Sequence, residues 1–334
     1  AVTMGDPAGV GPEVIVGALG RSDVRELART VVLGDRRAME RAARVLGYRG
    51  EIRSFEAPVD VPEDFDGIAL VEMTTLADDD IAYGKPSRAA GDAVVRYIRA
   101  ATDGCLGGVF DAMATAPITK KAMRDAGHPW PGHTEMLAEF TGSDDYAMML
   151  AGDRLRVVLV TIHEPIRRVA DLVTREEVER KLRVTIRCLR EWWGIERPRI
   201  AVMGLNPHAG EQGTIGDEDQ RIVAPAVEAV RATEVVDVEG PLAADSAFYF
   251  AQDGRYDAVL CMYHDQGLIP LKMLHFRDGI NVTLGLPIIR TSVDHGTAYD
   301  LAGTGEADPA SMVEAIRWAV RLAATRRRVR RSAA

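Results

Sequence analysis

VVLVTIH (157–163) runs directly into EPIRRVADLVTREEVERKLRVTIRCLREWWG (164–194), and this stretch decides the fold class. The apolar run from Val157 to Ile162 has the length and β-branched content of a buried strand. Helix signals follow it. Thr174 is placed to cap a helix, and Glu177 stands at the fourth position of a capping box. Leu182, Ile186 and Leu189 recur at helical spacing, and Gly194 supplies a stop. Working outward, similar apolar runs occur at Val31 to Leu33, Ile68 to Val71, Val109 to Ala114, Ile200 to Met203, Val235 to Val238, Ala258 to Met262 and Ile280 to Leu284. Between them lie helical patterns at 12–19, 37–46, 87–101, 176–193, 218–231 and 309–324. Strand and helix alternate almost from end to end, which predicts an α/β fold with a largely parallel sheet. Ligand-binding loops then gather at the carboxyl ends of the strands.

Composition narrows the function classes. The chain has 334 residues, enough for about two domains at roughly 150 residues each. Its 41 basic and 50 acidic residues leave a formal charge of -9, which argues against general nucleic-acid or membrane-surface binding. The three cysteines, Cys105, Cys188 and Cys261, lie far apart with no CxxC spacing, so a disulfide framework or a thiolate zinc site is not expected. No apolar run approaches the roughly 20 residues of a membrane span. The chain opens on the motif-like AVTMGDPAGVGPE instead of a signal peptide, and a reducing, cytoplasmic setting is the expectation. Arg326 to Arg331 reads as a solvated tail that frays from the last helix.

Three histidines share one local placement. His163, His208 and His264 each lie at or just past the carboxyl end of an expected strand. One such residue is more often structural. Three at the same end of a parallel sheet suit a single divalent metal with a position left open for substrate. Elsewhere, His133 and Thr134 open a helix, where hydroxyl and imidazole donors suit a phosphate or carboxylate, with a simple cap at Thr134 as the alternative. Lys272, Asn281 and Arg290 follow in the last third of the chain. Arg290 comes straight after Leu286-Pro287-Ile288-Ile289, where a charge is costly without an anion, so these residues make a candidate phosphate clamp. GDPAGVGPE (5–13) has neither GxGxxG spacing nor a P-loop Lys, and reads as an anion-cradling turn or a tight packing turn. HGTAYDLAG (295–303) reads as a short small-residue helix that admits a ligand closely or simply packs. His128 and His275 fall in polar loops and carry no expected role.

GDPAGVGPE (5–13), PITK (117–120), PGHTE (131–135), NPHAGE (206–211), MYHDQG (262–267) and NVTLGLPIIRTSVDHGTAYDLAG (281–303) together resemble the 4-hydroxythreonine-4-phosphate dehydrogenase family of pyridoxal-phosphate biosynthesis. The resemblance spans essentially the whole chain. It implies an isocitrate/isopropylmalate dehydrogenase-like fold, with two α/β/α domains around a cleft and no Rossmann GxGxxG. The implied domains are 1–128 plus 267–334 on the nucleotide side and 129–266 on the dimer and metal side. It implies metal ligands at His163, His208 and His264, and substrate contacts at His133, Thr134, Lys272, Asn281 and Arg290. HGTAYDLAG resembles the adenosine-side loop of isopropylmalate dehydrogenases, which implies cofactor contacts at His295, Gly296, Thr297 and Asp300. A homodimer is implied, with the metal site shared so that His264 works with the other two from the opposite subunit. A subgroup acting on 4-phospho-D-threonate or 4-phospho-D-erythronate shares these motifs, and Asp278 before Gly279 resembles that subgroup as much as the biosynthetic enzymes.

The expected chemistry is oxidation of a phosphorylated hydroxy acid at its C3 hydroxyl by NAD or NADP, assisted by a divalent metal. Zinc heads the metals that suit three histidines, with cobalt, nickel and magnesium also open. The resulting 3-oxo acid can lose carbon dioxide. Asp265 and Lys272 are the candidates for handling the hydroxyl proton. The competing readings are a metal-dependent hydrolase of a phosphorylated small molecule and a non-catalytic metabolite-binding protein.

Overall fold

The structure is a computed structural model that describes residues 1–333. The chain forms two compact units, Ala1–Ser143 with Leu286–Ala323, and Asp144–Gly285 with Ala324–Ala334. In chain order the first unit supplies β1 (Val2–Thr3), β2 (Val31–Asp35), β3 (Ile52–Phe55), β4 (Ile68–Thr74) and β5 (Met113–Thr115). The second supplies β6 (Ala147–Ala151), β7 (Arg156–Leu159), β8 (Arg199–Met203), β9 (Asp237–Leu242), β10 (Ala258–Cys261) and β11 (Ile280–Leu284), and β12 (Arg290–Val293) returns to the first.

The first unit's strands run in the order β3-β4-β2-β1-β5-β12, every pair parallel. Such a sheet needs helices for its crossovers, and Gly11–Leu19, Arg36–Val45 and Arg88–Leu106 provide them. Asp35 ends β2 and caps the next helix by accepting from the Ala38 N–H at 3.2 Å.

The second unit's order is β11-β6-β7-β10-β8-β9. β7, β10, β8 and β9 are parallel, but β6 pairs antiparallel with both β11 and β7. The sequence signals a parallel sheet, and the exception has a local cause. Only residues 152–155 separate β6 from β7, too few for a crossover, so the chain makes a hairpin closed by Gly152 N–H donating to Leu155 C=O at 2.9 Å.

Alternation along the parallel strands divides the second unit's core. Val157, Leu159, Ala201, Met203, Val259 and Cys261 form one buried cluster with Ala247, Ala251 and Leu271 from the helices Ala244–Ala251 and His264–Leu274. The helix Arg175–Trp193 buries Val178, Leu182, Ile186, Leu189 and Trp192. It keeps only half of its expected capping box. Thr174 Oγ1 accepts from Glu177 N–H at 3.2 Å, but the Glu177 carboxylate turns to Arg180. Gly194 ends the helix at φ 70°, the left-handed stop that favours glycine.

The last helix, Ala310–Ala333, continues through Arg326 to Arg331, where the sequence suggests a frayed tail. The arginines at 327, 328, 330 and 331 are exposed, so each can stay hydrated while the helix goes on. All three cysteines are free thiols; Cys188 and Cys261 are buried and Cys105 is half-buried. Among the described residues no helix is long and apolar enough to cross a membrane.

Candidate active site

Strand order brings the three histidines to neighbouring exits. β10 lies between β7 and β8, all parallel, so their carboxyl ends lie side by side. His163 follows β7. His264 is the first residue of the helix His264–Leu274, which starts just past β10. Their ring centroids are 5.6 Å apart with the planes tilted by 40°. His264 Nδ1 is 2.7 Å from Asp265 Oδ1. With Nδ1 donating to that carboxylate, Nε2 keeps its lone pair for a ligand.

His208 lies past β8 in an unusual turn. His208, Ala209, Gly210, Glu211 and Gln212 all have positive φ, between 43° and 77°. For the residues other than glycine this conformation costs on the order of 1–3 kcal/mol each. Surrounding bonds hold the turn in place. The fully buried Asp219 accepts from Leu205 N–H at 2.6 Å and Asn206 N–H at 3.0 Å, and Asn206 Nδ2 donates to Glu218 at 2.8 Å. A Cβ at Gly210 would come within 2.6 Å of the Gly216 carbonyl. His208 Nδ1 is 3.9 Å from Asp245 Oδ2. The chain thus brings His163 and His264 together. Among the described residues, no group of three or more His, Cys, Asp or Glu side chains is close enough to hold a metal.

The first unit contains a buried cationic site. Arg290 opens β12 and is 2% exposed, with Nε and Nη2 donating to Thr115 Oγ1 at 3.1 and 2.7 Å. Burial pushes the guanidinium pKa down to about 9, opposed by the negative charge of Glu135. His133 begins the helix His133–Thr141, and its buried Nε2 has no hydrogen-bond partner. Burial, and secondarily the charge of Arg290, hold its pKa well below the ordinary value. Thr134 is buried, and no side-chain cap bond forms at this helix start. A buried guanidinium beside a neutral, unsatisfied imidazole is a site that an anion would complete.

The second unit holds Lys272 and Asn281. Asn281 Oδ1 is buried without a partner, and the Lys272 ammonium lies 5.6 Å from the Phe276 ring centroid. His275 is buried, contrary to its reading as a polar-loop residue. Arg154 N–H donates to its Nε2 at 3.3 Å, so Nδ1 bears the proton that bonds Asp278 at 3.0 Å. This fixes the loop between Lys272 and Asn281.

Residues 295–303 form turns, not the short helix expected, with Ala298 at φ 40°. GDPAGVGPE holds this segment. Val10 N–H donates to Thr297 C=O at 3.0 Å, and a Cβ at Gly9 would lie 2.7 Å from that oxygen. Buried Glu13 accepts from Gly303 N–H at 2.6 Å and Gly305 N–H at 3.1 Å. Asp6 accepts from Tyr299 Oη and Thr119 Oγ1, both at 2.6 Å. The opening motif is therefore a packing turn whose carboxylates support the loop bearing His295, Gly296, Thr297 and Asp300. Asp6, Glu13, Thr115 and Asp219 were not singled out by sequence. For Asp6, Glu13 and Thr115 the only signal was a polar residue within an apolar stretch, and Asp219, inside the polar run Asp217 to Arg221, carried none.

The family described as "Pyridoxal phosphate biosynthetic protein PdxA" matches residues 26–319. The chain belongs to the PdxA family. It is 55% identical to a Trichlorobacter lovleyi protein named 4-hydroxythreonine-4-phosphate dehydrogenase, over 98% of each chain. It is 45% identical to a Cupriavidus necator protein named D-threonate 4-phosphate dehydrogenase, over 97% of each. A crystal structure of 4-hydroxythreonine-4-phosphate dehydrogenase from Klebsiella pneumoniae superposes with a TM-score of 0.87 at 44% identity, covering 96% of this chain and 98% of that one. These PdxA relatives are dehydrogenases, and this chain is an oxidoreductase of that family. The hydrolase and binding-protein readings fall with that result.

Proposed function

We propose that the chain oxidises 4-phosphooxy-L-threonine at its C3 hydroxyl with NAD or NADP, giving a 3-oxo acid that decarboxylates to 3-amino-2-oxopropyl phosphate. The observation that carries this reading is Arg290, a buried guanidinium beside the unsatisfied Nε2 of His133. Such donors suit a substrate with phosphate and carboxylate groups, and the name of the 55% identical relative supports the same class. His133, Thr134, Lys272, Asn281 and Arg290 are assigned to those anionic groups. Asp265 is already bonded to His264, so Lys272 is the group assigned to the hydroxyl proton.

His163, His208 and His264 are assigned to a divalent metal. Two imidazoles with centroids 5.6 Å apart fit one ion, since each metal–nitrogen bond is about 2.1 Å long. Imidazole donors backed by carboxylates suit zinc, then cobalt or nickel, before magnesium. When bound, the metal supplies positive charge that lowers the pKa of a substrate hydroxyl. NAD or NADP supplies the hydride acceptor. The loop bearing His295, Gly296, Thr297 and Asp300 is assigned to it. A Cβ added at Gly296 would meet nothing within 4 Å, leaving space for a ligand above the loop.

The working unit is read as a homodimer. Tyr249, Phe250, Ile269, Met273 and Phe276 expose a large apolar surface on and beside two helices that pack on one face of the second unit's sheet, with Met273 82% and Phe276 78% exposed. A second copy is the proposed cover. The metal site is read as shared, with His264 reaching the other copy's histidines. The closeness of His163 and His264 also fits a site within one chain, and complementation between His163→Ala and His264→Ala chains separates the two.

A second reading is oxidation of 4-phospho-D-threonate or 4-phospho-D-erythronate, favoured by the name of the 45% identical relative. The deciding experiment offers NAD, then NADP, with each phosphorylated substrate and follows reduced-nicotinamide absorbance. Higher kcat/KM on 4-phosphooxy-L-threonine supports the first reading, higher kcat/KM on a D-acid supports the second, and no turnover of either overturns both. A second run after thorough chelation tests the metal, whose assignment fails if full activity survives.

A further inference from the structure

Arg290 enters the sheet at the end opposite to the one where ligands gather. It is the first residue of β12 and pairs in register with Met113, the first residue of the parallel strand β5. Ligand-binding loops lie at the carboxyl ends of such strands. The side chain nevertheless reaches forward. Nε donates to Thr115 Oγ1 at 3.1 Å, and Nη2 donates to the same oxygen at 2.7 Å. Thr115 ends β5, two positions beyond Met113, and therefore lies on the same face of the sheet. Its hydroxyl holds the guanidinium toward the carboxyl end.

The bonding is restrictive. Nε and Nη2 share one edge of a planar group, so two bonds to one oxygen fix the plane of the guanidinium and its rotation within that plane. The acceptor is a neutral hydroxyl, which orients the cation without cancelling its charge. A charged competitor stands nearby. The negative charge of Glu135, the third residue of the helix His133–Thr141, acts on Arg290. Thr3 supplies the contrast. It aligns with Thr115 from the neighbouring strand β1 and is equally buried, yet its Oγ1 makes no hydrogen bond. A threonine at this level of the sheet is thus not by itself tied to the arginine.

We infer that Thr115 is a positioning residue for the anionic substrate, holding the Arg290 guanidinium against the pull of Glu135 so that it meets a phosphate or carboxylate group. This rests on the proposed role of Arg290 in binding those groups.

The test uses full-length wild type, Thr115→Val, Thr115→Ser, Thr3→Val and Arg290→Met. It measures the dissociation constant of inorganic phosphate by calorimetry, and KM for the phosphorylated substrate and for the nucleotide. Circular dichroism establishes folding. Thr115→Val keeps the shape and loses the acceptor oxygen. It is expected to weaken phosphate binding by about 10–100-fold, to raise KM for the phosphorylated substrate to a similar extent and to leave KM for the nucleotide unchanged. Thr115→Ser returns the oxygen and is expected to stay near wild type. Thr3→Val makes the same change one strand away and is expected to alter neither constant. If Thr115→Val does not fold, Thr115→Cys decides, since a thiol is of similar size and only a weak acceptor. Suppose Arg290→Met abolishes phosphate binding. Wild-type affinity in a folded Thr115→Val or Thr115→Cys chain would then overturn the positioning role alone, as would equal losses in Thr115→Ser or Thr3→Val. Wild-type phosphate binding by Arg290→Met, or no saturable binding by wild type, would overturn the anion reading of Arg290, and the inference with it.

Discussion

Arg290 illustrates how far a single residue can be read. Its charge after four apolar positions was visible in sequence as something in need of an anion, and the structure buries it with Thr115 as a neutral partner. A guanidinium buried this deeply is costly for the free protein to hold and binds an anion strongly. Arg290→Met is therefore expected to lower kcat/KM for the phosphorylated substrate by about 100-fold or more, with no loss of thermal stability. A large stability loss with unchanged kcat/KM would make Arg290 structural. His133 gives a pH test. Its depressed pKa keeps the folded ring neutral, while the unfolded chain takes up a proton as pH drops below the ordinary value of 6.5. The unfolded state then binds more protons, so stability falls from pH 7 to 5.5. Denaturant melts at those two pH values should show a smaller fall in His133→Gln. What sequence could not show at this scale was direction. His275 looked like a loop residue because its neighbours Phe276, Arg277 and Asp278 are exposed, yet its own ring turns inward against Gly152.

Among elements, local chemistry was legible where the chain settles matters with its immediate neighbours. Thr174, the Leu182 stripe and Gly194 define one helix from its own residues, and all three act as expected. Thr174→Ala should cost about 1 kcal/mol, measurable as a shifted urea midpoint at unchanged slope. Elements defined by distant partners were harder to see. β1 is two residues long and exists because β2 and β5 flank it. β6 carries ordinary strand residues, and only its short link to β7 reveals the antiparallel pairing. The loop at 295–305 takes its form from Glu13 and Asp6, nearly three hundred residues earlier. The histidine placement was legible because it depended on strand exits, which periodicity does reveal. The left-handed turn around His208 was not, since Ala, Glu and Gln carry no preference for that backbone.

For the whole molecule, the question is whether one chain or two make a site. Mixing His163→Ala and His264→Ala chains, each inactive alone, distinguishes the cases. If His264 serves the other copy, one site of each heterodimer collects both lesions and the other none, so activity returns to about half of wild type per heterodimer. If one chain supplies all three ligands, every site keeps a lesion and the mixture stays inactive despite subunit exchange. The cysteines make that exchange measurable. The buried Cys188 thiol, with its pKa pushed up to about 12, and Cys261, buried beneath the helix at 264–274, are closed to alkylating reagents in the folded protein. Cys105, half-buried near the end of the helix Arg88–Leu106, is the thiol within reach. Under native conditions a maleimide dye therefore labels the wild-type sequence at a single known position. Donor- and acceptor-labelled batches can then report subunit mixing by energy transfer, with no engineered cysteine.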